Sequence, residues 1–244
     1  MTGAEVFAAV ATTWPPATAE RVGDFMVPQA DAGGNRVSAA RLFDATRIAG
    51  AELLQAEATM TAQGRAPLFQ VLDHQTPLSA ALDQRGYITR DATDILVIEA
   101  ETLAAVPPPV TVVGVWPPLA IRVELWDAAG SGAPRRAGMA RADGPKTSFF
   151  GRINDKPAGA AYVGIHDDIA MLHALEVAPG ARRRGLAAIM MRAAADWAQN
   201  NGATWLSVLV TQENESAQAL YASLGLRRVG TYVYREKSER SETP

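Results

Sequence analysis

The stretch Leu175-Glu-Val-Ala-Pro-Gly-Ala-Arg-Arg-Arg-Gly-Leu-Ala187 carries more information than any other in this sequence. A β-rich segment leads to Pro179 and a tight basic turn follows. Gly185 then opens a run whose apolar positions, Leu186, Ile189, Met190, Ala193, Ala194 and Trp197, recur at helical spacing. The pattern predicts a strand, a turn and a helix over 186–200. The first turn of a helix has backbone N–H groups without intrahelical acceptors and carries the positive end of the macrodipole. A diphosphate placed there receives several hydrogen bonds at once. Gly185 lets the backbone approach closely, Ala187 keeps the next turn small, and Arg182, Arg183 and Arg184 add positive charge. Taken alone, three arginines ahead of a helix are more often a solvated charge run.

The turn does not stand alone. Leu175 to Ala187 resembles the acetyl-CoA signature of the GNAT superfamily of N-acetyltransferases, in which an apolar strand and a proline lead into Arg/Gln-x-x-Gly-x-Gly/Ala. Arg182, Gly185 and Ala187 fill the three defined positions. Downstream, Asn214-Glu-Ser-Ala-Gln-Ala-Leu-Tyr-Ala-Ser-Leu-Gly-Leu226 is similar to the second signature of that family, with Leu226 where a phenylalanine is usual. The resemblance covers residues 160–235 and reaches more faintly back to Val110. It implies an α/β fold with a mixed, twisted sheet flanked by helices. It also implies acetyl-CoA as acyl donor and direct transfer of acetyl to a primary amine, without a covalent enzyme intermediate and without a metal. The strand ending at Val177 would splay from its neighbour, Trp205 to Val210, freeing the backbone of Leu175 and Val177 for the pantetheine arm and the acetyl carbonyl. Unpaired strand amides in a closed site can stabilise a developing oxyanion. The backbone of Arg183, Arg184, Gly185, Leu186, Ala187 and Ala188 would take the pyrophosphate, and Asn214 would contact the cofactor near its reactive end. Tyr221 falls where family members place a hydroxyl beside the thioester sulfur, as general acid for the departing thiolate. Its bland alternative is a packed helix tyrosine.

An attacking ammonium must first lose a proton, so a base is needed near neutral pH. Met171-Leu-His-Ala-Leu175 resembles the corresponding strand of serotonin N-acetyltransferases, where a histidine helps deprotonate the amine through water, and this makes His173 the first candidate. Buried, hydrogen-bonded packing is its equal alternative. Strand alternation places His173, Leu175 and Val177 on one face and turns Glu176 to the other unless a bulge re-aims it, which keeps Glu176 as runner-up. His74 and His166 read as surface residues, and three dispersed histidines do not make a metal site.

Outward from this site the signals weaken. The 244 residues are 48% hydrophobic and 20% charged, ordinary for a globular chain with one large core or two modest ones. No cysteine is present, which removes thiolate metal sites and thiol nucleophiles. The start does not read as a secretory signal, and no apolar run approaches the ~20 residues needed to cross a bilayer. A cytoplasmic protein without membrane attachment is expected. Net charge is −3, and it is uneven: 7 Lys/Arg against 13 Asp/Glu in residues 1–105, or −6, and 16 against 13 in residues 106–244, or +3. The overall sign disfavours a nucleic-acid partner, and the basic half is where an anion would bind. Pro107, Pro108 and Pro109 interrupt the chain, giving an expected N-terminal α/β domain over 1–106 and an acetyl-CoA-binding domain over 107–244. Residues 130–146 read as a surface loop.

The two halves share an order. Helix 47–62, Gly64, strand 68–72, helix 78–85, Gly86 and strand 95–98 parallel helix 186–200, Gly202, strand 205–210, helix 217–224, Gly225 and strand 232–235. This suggests an internal duplication whose N-terminal copy lacks the basic glycine turn and so binds no cofactor, although ordinary strand-helix-strand units would look the same. A monomer with pseudo-dimeric halves and a homodimer both fit. The acceptor, a small-molecule or a protein amine, is not legible in the sequence. Rival readings are an acyl-CoA-binding regulatory or scaffold protein without activity, and a nucleic-acid or partner-binding module using Arg182 to Arg184.

Overall fold

The computed structural model describes residues 1–29, 33–43 and 50–237. In chain order they form α1 (Gly3–Thr13), β1 (Ala19–Val22), β2 (Phe25–Pro28), α2 (Asn35–Ser38), β3 (Ala40–Leu42), α3 (Gly50–Ala62), β4 (Leu68–Leu72), α4 (Thr76–Gln84), β5 (Tyr87–Glu99), α5 (Ala100–Leu103), β6 (Val112–Val115), α6 (Ala120–Ala128), α7 (Ala133–Arg141), β7 (Lys146–Ile153), β8 (Lys156–His166), β9 (Ile169–Val177), α8 (Leu186–Asn200), β10 (Trp205–Thr211), α9 (Glu215–Ser223) and β11 (Arg227–Lys237). Local chemistry explains several boundaries. Thr2 and Glu5 close a reciprocal capping box at the start of α1, with Glu5 N–H donating to Thr2 Oγ1 at 3.3 Å and Thr2 N–H to the Glu5 carboxylate at 2.6 Å. Prolines occupy the first turns of α4 and α7, where the missing N–H is harmless. The start expected at Arg47 for the helix now seen as α3 lies outside the described residues, as does the segment from 44 onward that precedes it.

The chain divides into two compact units that interleave along it: Met1–Pro15, Ile95–Val210 and Asn214–Val229 form one, and Pro16–Asp94, Thr211–Glu213 and Gly230–Pro244 the other. In the first, the strand order is the end of β5, then β10, β9, β8, β7 and β6. β9 and β10 run parallel, while β8–β9, β7–β8 and β6–β7 pair antiparallel. This is the mixed sheet flanked by helices expected from the sequence. α8 buries Met190, Met191, Ala194 and Ala198 in one cluster with Ala161 and Val163 of β8, Leu172 of β9, and Leu206 and Val208 of β10. Each large apolar side chain taken fully out of water there contributes about 1.5–3 kcal/mol. The other face of β8 and β9 is covered by α1 and α6.

One expectation fails here. Residues 130–146 are not a plain surface loop, because α7 occupies their centre with Gly138 and Met139 buried. A side chain at Gly138 would meet the Trp14 indole at 3.3 Å, so the helix is pressed against α1. Its composition, small residues and arginines, hides this, since only two positions face inward.

In the second unit the order is β1, β2, β3, β4 and β11, with β3–β4 parallel and β1–β2, β2–β3 and β4–β11 antiparallel. Its core joins Leu53, Ala56 and Met60 of α3 and Leu78 and Leu82 of α4 to an edge-to-face chain of Phe25, Phe69 and Tyr87, with centroids 5.8 and 5.6 Å apart. Where β3 and β4 stop pairing, after Arg41↔Gln70, the gap is filled from within. The Gln75 carboxamide, 2% exposed, donates to the Leu42 carbonyl at 3.2 Å and accepts from Leu72 N–H at 3.0 Å, standing in for a missing peptide.

Candidate active site

The basic turn leaves a row of backbone amides open, a cradle that could hold an anion. The chain enters the left-handed region twice, at Arg183 with φ 61° and at Gly185 with φ 80°. α8 then begins with no side-chain cap. Among the described residues none accepts a hydrogen bond from the backbone amides of residues 183–188; the first amide of the helix with an acceptor is that of Ile189, which donates to Gly185 O at 3.1 Å. Six donors at the positive end of a fifteen-residue helix therefore have no partner among the described residues. A Cβ at Gly185 would meet nothing within 4 Å, so the glycine serves the backbone angle and leaves the approach to the amides open. Residues that could hold a diphosphate are thus present and unsatisfied.

Beside the cradle the strands open. β9 and β10 pair from Trp205↔Ile169 to Val208↔Leu172 and no further, although β9 runs on to Val177 and β10 to Thr211. Backbone groups of β9 that point away from β8 past this point are left for another partner. At the same place β9 bulges. Its pairing with β8 goes from Tyr162↔His173 to Ala160↔Glu176, two steps on one strand against three on the other, and Ala174 takes φ 48°.

The bulge corrects an expectation. Ala160 and Tyr162 lie on one face of β8, so their partners Glu176 and His173 lie on one face of β9, and Leu175 and Val177 turn to the face of α8, against whose cluster they pack. The strict alternation that grouped His173 with Leu175 and Val177 does not hold, because the extra residue reverses the parity.

The cradle and the end of β9 border one cavity of about 720 Å³. Its lining includes Leu175, Glu176, Val177, Arg182, Arg183, Gly185, Leu186, Ala187, Ala188, Asn214 and Tyr221. Arg184 is not in the lining and reaches Asn154 Oδ1 at 3.3 Å instead. His173 is not in it either. It is 3% exposed, its Nε2 lies 2.9 Å from Thr13 Oγ1, and its ring sits 5.0 Å from Trp14 and 5.9 Å from Tyr162. Since the Thr13 hydroxyl donates to Ala9 O at 2.8 Å, its oxygen is available to accept from Nε2. Trp126, at 0% exposure, and Phe149, at 4%, lie in the core.

Asn214 uses Oδ1 to cap α9, accepting from Ala217 N–H at 3.2 Å and from Ser216 Oγ at 3.1 Å, which leaves its NH₂ for a ligand carbonyl. Burial pushes the Tyr221 phenol up to about 12, and the negative charge of Glu176 adds to this. Burial also raises the Glu176 carboxyl, against the opposing pull of Arg182 and Arg135. Sequence reading missed Ser216, Ala217, Leu220 and Ser223 on the cavity wall. Their spacing of three and four is one helix face, already marked by Asn214 and Tyr221.

Comparison with known proteins agrees with this geometry. Residues 115–226 match the model of the acetyltransferase (GNAT) family. YobR, an uncharacterised N-acetyltransferase of Bacillus subtilis, is 30% identical over 95 residues, 38% of this chain and 38% of its own, so the match spans less than half of that relative. A GCN5-related N-acetyltransferase from Kribbella flavida superposes with TM-score 0.72 at 18% identity over 96% of this chain and 95% of that one. A tandem GNAT protein from the clavulanic acid biosynthesis pathway superposes with TM-score 0.61 at 14% identity over 81% and 74%. Such identities speak for the fold alone. The segment 115–226, with its amide cradle, opened strands and cavity, belongs to the GNAT family of acetyltransferases.

Proposed function

We propose that this protein transfers an acetyl group from acetyl-CoA to a primary amine by direct attack. The observation that carries the reading is one cavity lined by Arg183 and by Gly185 to Ala188 of the amide cradle, by Glu176 and by Tyr221 together. Acetyl-CoA would supply an acyl group already activated as a thioester. The amides of 183–188, with Arg182 and Arg183, hold its diphosphate. The unpaired edge of β9 at Leu175 and Val177 and the Asn214 NH₂ orient the arm that follows, and strand amides are placed to favour negative charge on the carbonyl oxygen.

Glu176 takes the place of His173 as the base. It lines the cavity, and its raised pKa makes it more basic than a surface carboxylate. It accepts the proton of the acceptor ammonium directly or through water; the second proton lost by the nitrogen ends on the sulfur. Tyr221 needs a narrower role than full general acid. A phenol at about 12 lies well above a thiol near ~8.5, so complete transfer to sulfur is uphill by roughly 5 kcal/mol. What the shift favours is a phenol that stays neutral and donates a hydrogen bond to the departing sulfur.

The second unit is proposed as a degenerate copy of the same fold. Its longest segment, Pro16–Asp94, falls inside the N-terminal domain expected over 1–106, and the acyltransferase domain expected over 107–244 falls mostly in the first unit, which also takes in Met1–Pro15 and the chain from Ile95. Gly64 and Gly86 repeat the left-handed angles of Gly202 and Gly225 after equivalent helices. In that unit the place of the opened strands is closed by Gln75, which supports one cofactor per chain. Among the described residues no cluster of His, Cys, Asp and Glu could hold a metal ion, and no helix is long and apolar enough to cross a membrane. The reading places the protein in the cytoplasm, as a monomer or homodimer.

Calorimetric titration with acetyl-CoA, followed by thiol release with a panel of small amines, amino acids and peptides, tests the proposal. One site per chain and turnover with an amine are expected. Binding without turnover across the panel would favour an acyl-CoA-sensing protein, and no binding at millimolar acetyl-CoA would end both readings.

A further inference from the structure

The bulge in β9 decides on which face of the strand Glu176 stands, and it is an expensive feature for this sequence to keep. Ala174 carries a Cβ in a left-handed conformation that favours glycine. A bulged residue also loses its place in the ladder, so its backbone groups need other partners. Shifting β9 by one residue into a regular ladder would remove both penalties. It would pair Ala160 with Leu175 and Gly159 with Glu176, and every side chain past His173 would move to the opposite face, carrying the Glu176 carboxylate to the face of α8 where Leu175 and Val177 now pack.

What opposes the shift comes from α6. Trp126, fully buried on that helix, donates its indole N–H to the Ala174 carbonyl at 2.9 Å. The helix is itself tied down. Arg122, also fully buried, donates through Nη1 to Val115 O at 2.8 Å and Ser148 Oγ at 2.5 Å, and through Nη2 to Val113 O at 3.0 Å. The donor of Trp126 is therefore fixed in space by β6 and β7, independently of the strand it serves.

We propose that Trp126 is a positioning residue: its indole N–H holds the Ala174 carbonyl and so maintains the bulge that keeps Glu176 on the face of His173, away from the apolar face packed on α8, and parts β9 from β10. This deepens the acyl-transfer reading and rests on it for its functional consequence, while the register it predicts can be measured without any ligand.

The test compares wild type with Trp126→Phe, which keeps an aromatic ring and deletes the donor. Cross-strand contacts between α-protons and amides in NMR spectra of the apo protein report the register, and calorimetry reports acetyl-CoA affinity. In Trp126→Phe the Ala160–Glu176 contact should give way to Ala160–Leu175, and acetyl-CoA affinity should fall at least tenfold. Adding Ala174→Gly, which removes the strain at φ 48°, should restore both, a rescue that lost packing at Trp126 would not show. If Trp126→Phe does not fold, the wild-type indole N–H is read directly and should show slow solvent exchange and a scalar coupling across the hydrogen bond to the Ala174 carbonyl carbon. Retention of the Ala160–Glu176 contact with affinity within twofold in Trp126→Phe, or a wild-type indole N–H with neither protection nor coupling, overturns the proposal. A wild type that shows the bulged register and binds no acetyl-CoA would overturn the acyl-transfer reading alone, because the register arm still decides on Trp126.

Discussion

Replacing Gly185 by alanine isolates the backbone contribution of the cradle. Gly185 has φ 80° and ψ −4°, and its added Cβ would touch nothing within 4 Å. Steric crowding is thus absent, and the cost is the left-handed conformation itself, about 1–2 kcal/mol for a residue with a Cβ. A glycine-to-alanine change also stiffens the unfolded chain, which favours folding by about 0.4–1 kcal/mol. Gly180→Ala removes that complication. Gly180 has no positive φ and equally open surroundings, so it carries the unfolded-state effect alone, and subtracting its change leaves the strain. The strain can surface in two places. If the substituted residue holds the left-handed turn, folding stability drops and acetyl-CoA affinity does not. If the turn relaxes, the apo protein is spared, and binding must restore the turn at the expense of affinity. Because both routes join the same unfolded and ligand-bound states, the folding and binding losses should sum to about 1–2 kcal/mol, or about 5- to 30-fold. Urea unfolding of both variants, with calorimetric titration of acetyl-CoA, measures the two parts. Gly185→Ala indistinguishable from Gly180→Ala in both would refute the assignment of this glycine to the turn angle. A summed loss of several kcal/mol would show that the Cβ meets the ligand, contrary to the open space found.

Three further outcomes follow from the site. Tyr221→Phe should lower kcat by about 10- to 100-fold, the low end for a proton-donating group, since a thiolate leaves readily unaided; an unchanged kcat with a proven acceptor would remove Tyr221 from the reaction. The raised Glu176 carboxyl means that the folded protein holds this proton more tightly than the unfolded chain does, so its contribution to stability is full in acid and is lost as pH rises through the raised value. Glu176→Gln should accordingly raise the melting temperature at neutral pH and not at about pH 4, and should lower kcat/KM by about 10²-fold or more; equal melting shifts at both pH values would contradict the burial argument. Asn214→Asp keeps the cap on α9 and loses the NH₂ donor, so thermal stability should hold while acetyl-CoA affinity falls, whereas Asn214→Ala should also cost about 1 kcal/mol of stability.

Much of the site was legible because its logic is local. The turn 182–185, the free amides of α8 and the Asn214 cap depend on residues within four positions of one another, and short-range hydrogen bonding and periodicity express such features directly. The limits of β4, β10 and α8 were legible to within a residue for the same reason. The α7 helix was not, since small residues and arginines carry too little apolar periodicity to reveal that Gly138 and Met139 face inward.

Sequence alone determined that a basic glycine turn opens a helix here, and the family resemblance placed Asn214 and Tyr221 beside it. Tertiary structure alone decided which candidate faces the cavity. His173 is sealed by Thr13 and Trp14, which lie 160 and 159 positions earlier in the chain, and Glu176 lines the cavity from the face of His173 because of a bulge at Ala174, whose carbonyl accepts from Trp126, 48 positions away. A strand's parity can be reversed by one extra residue. Whether that residue is tolerated depends on a hydrogen-bond donor arriving from another element, which no periodicity within the strand can register.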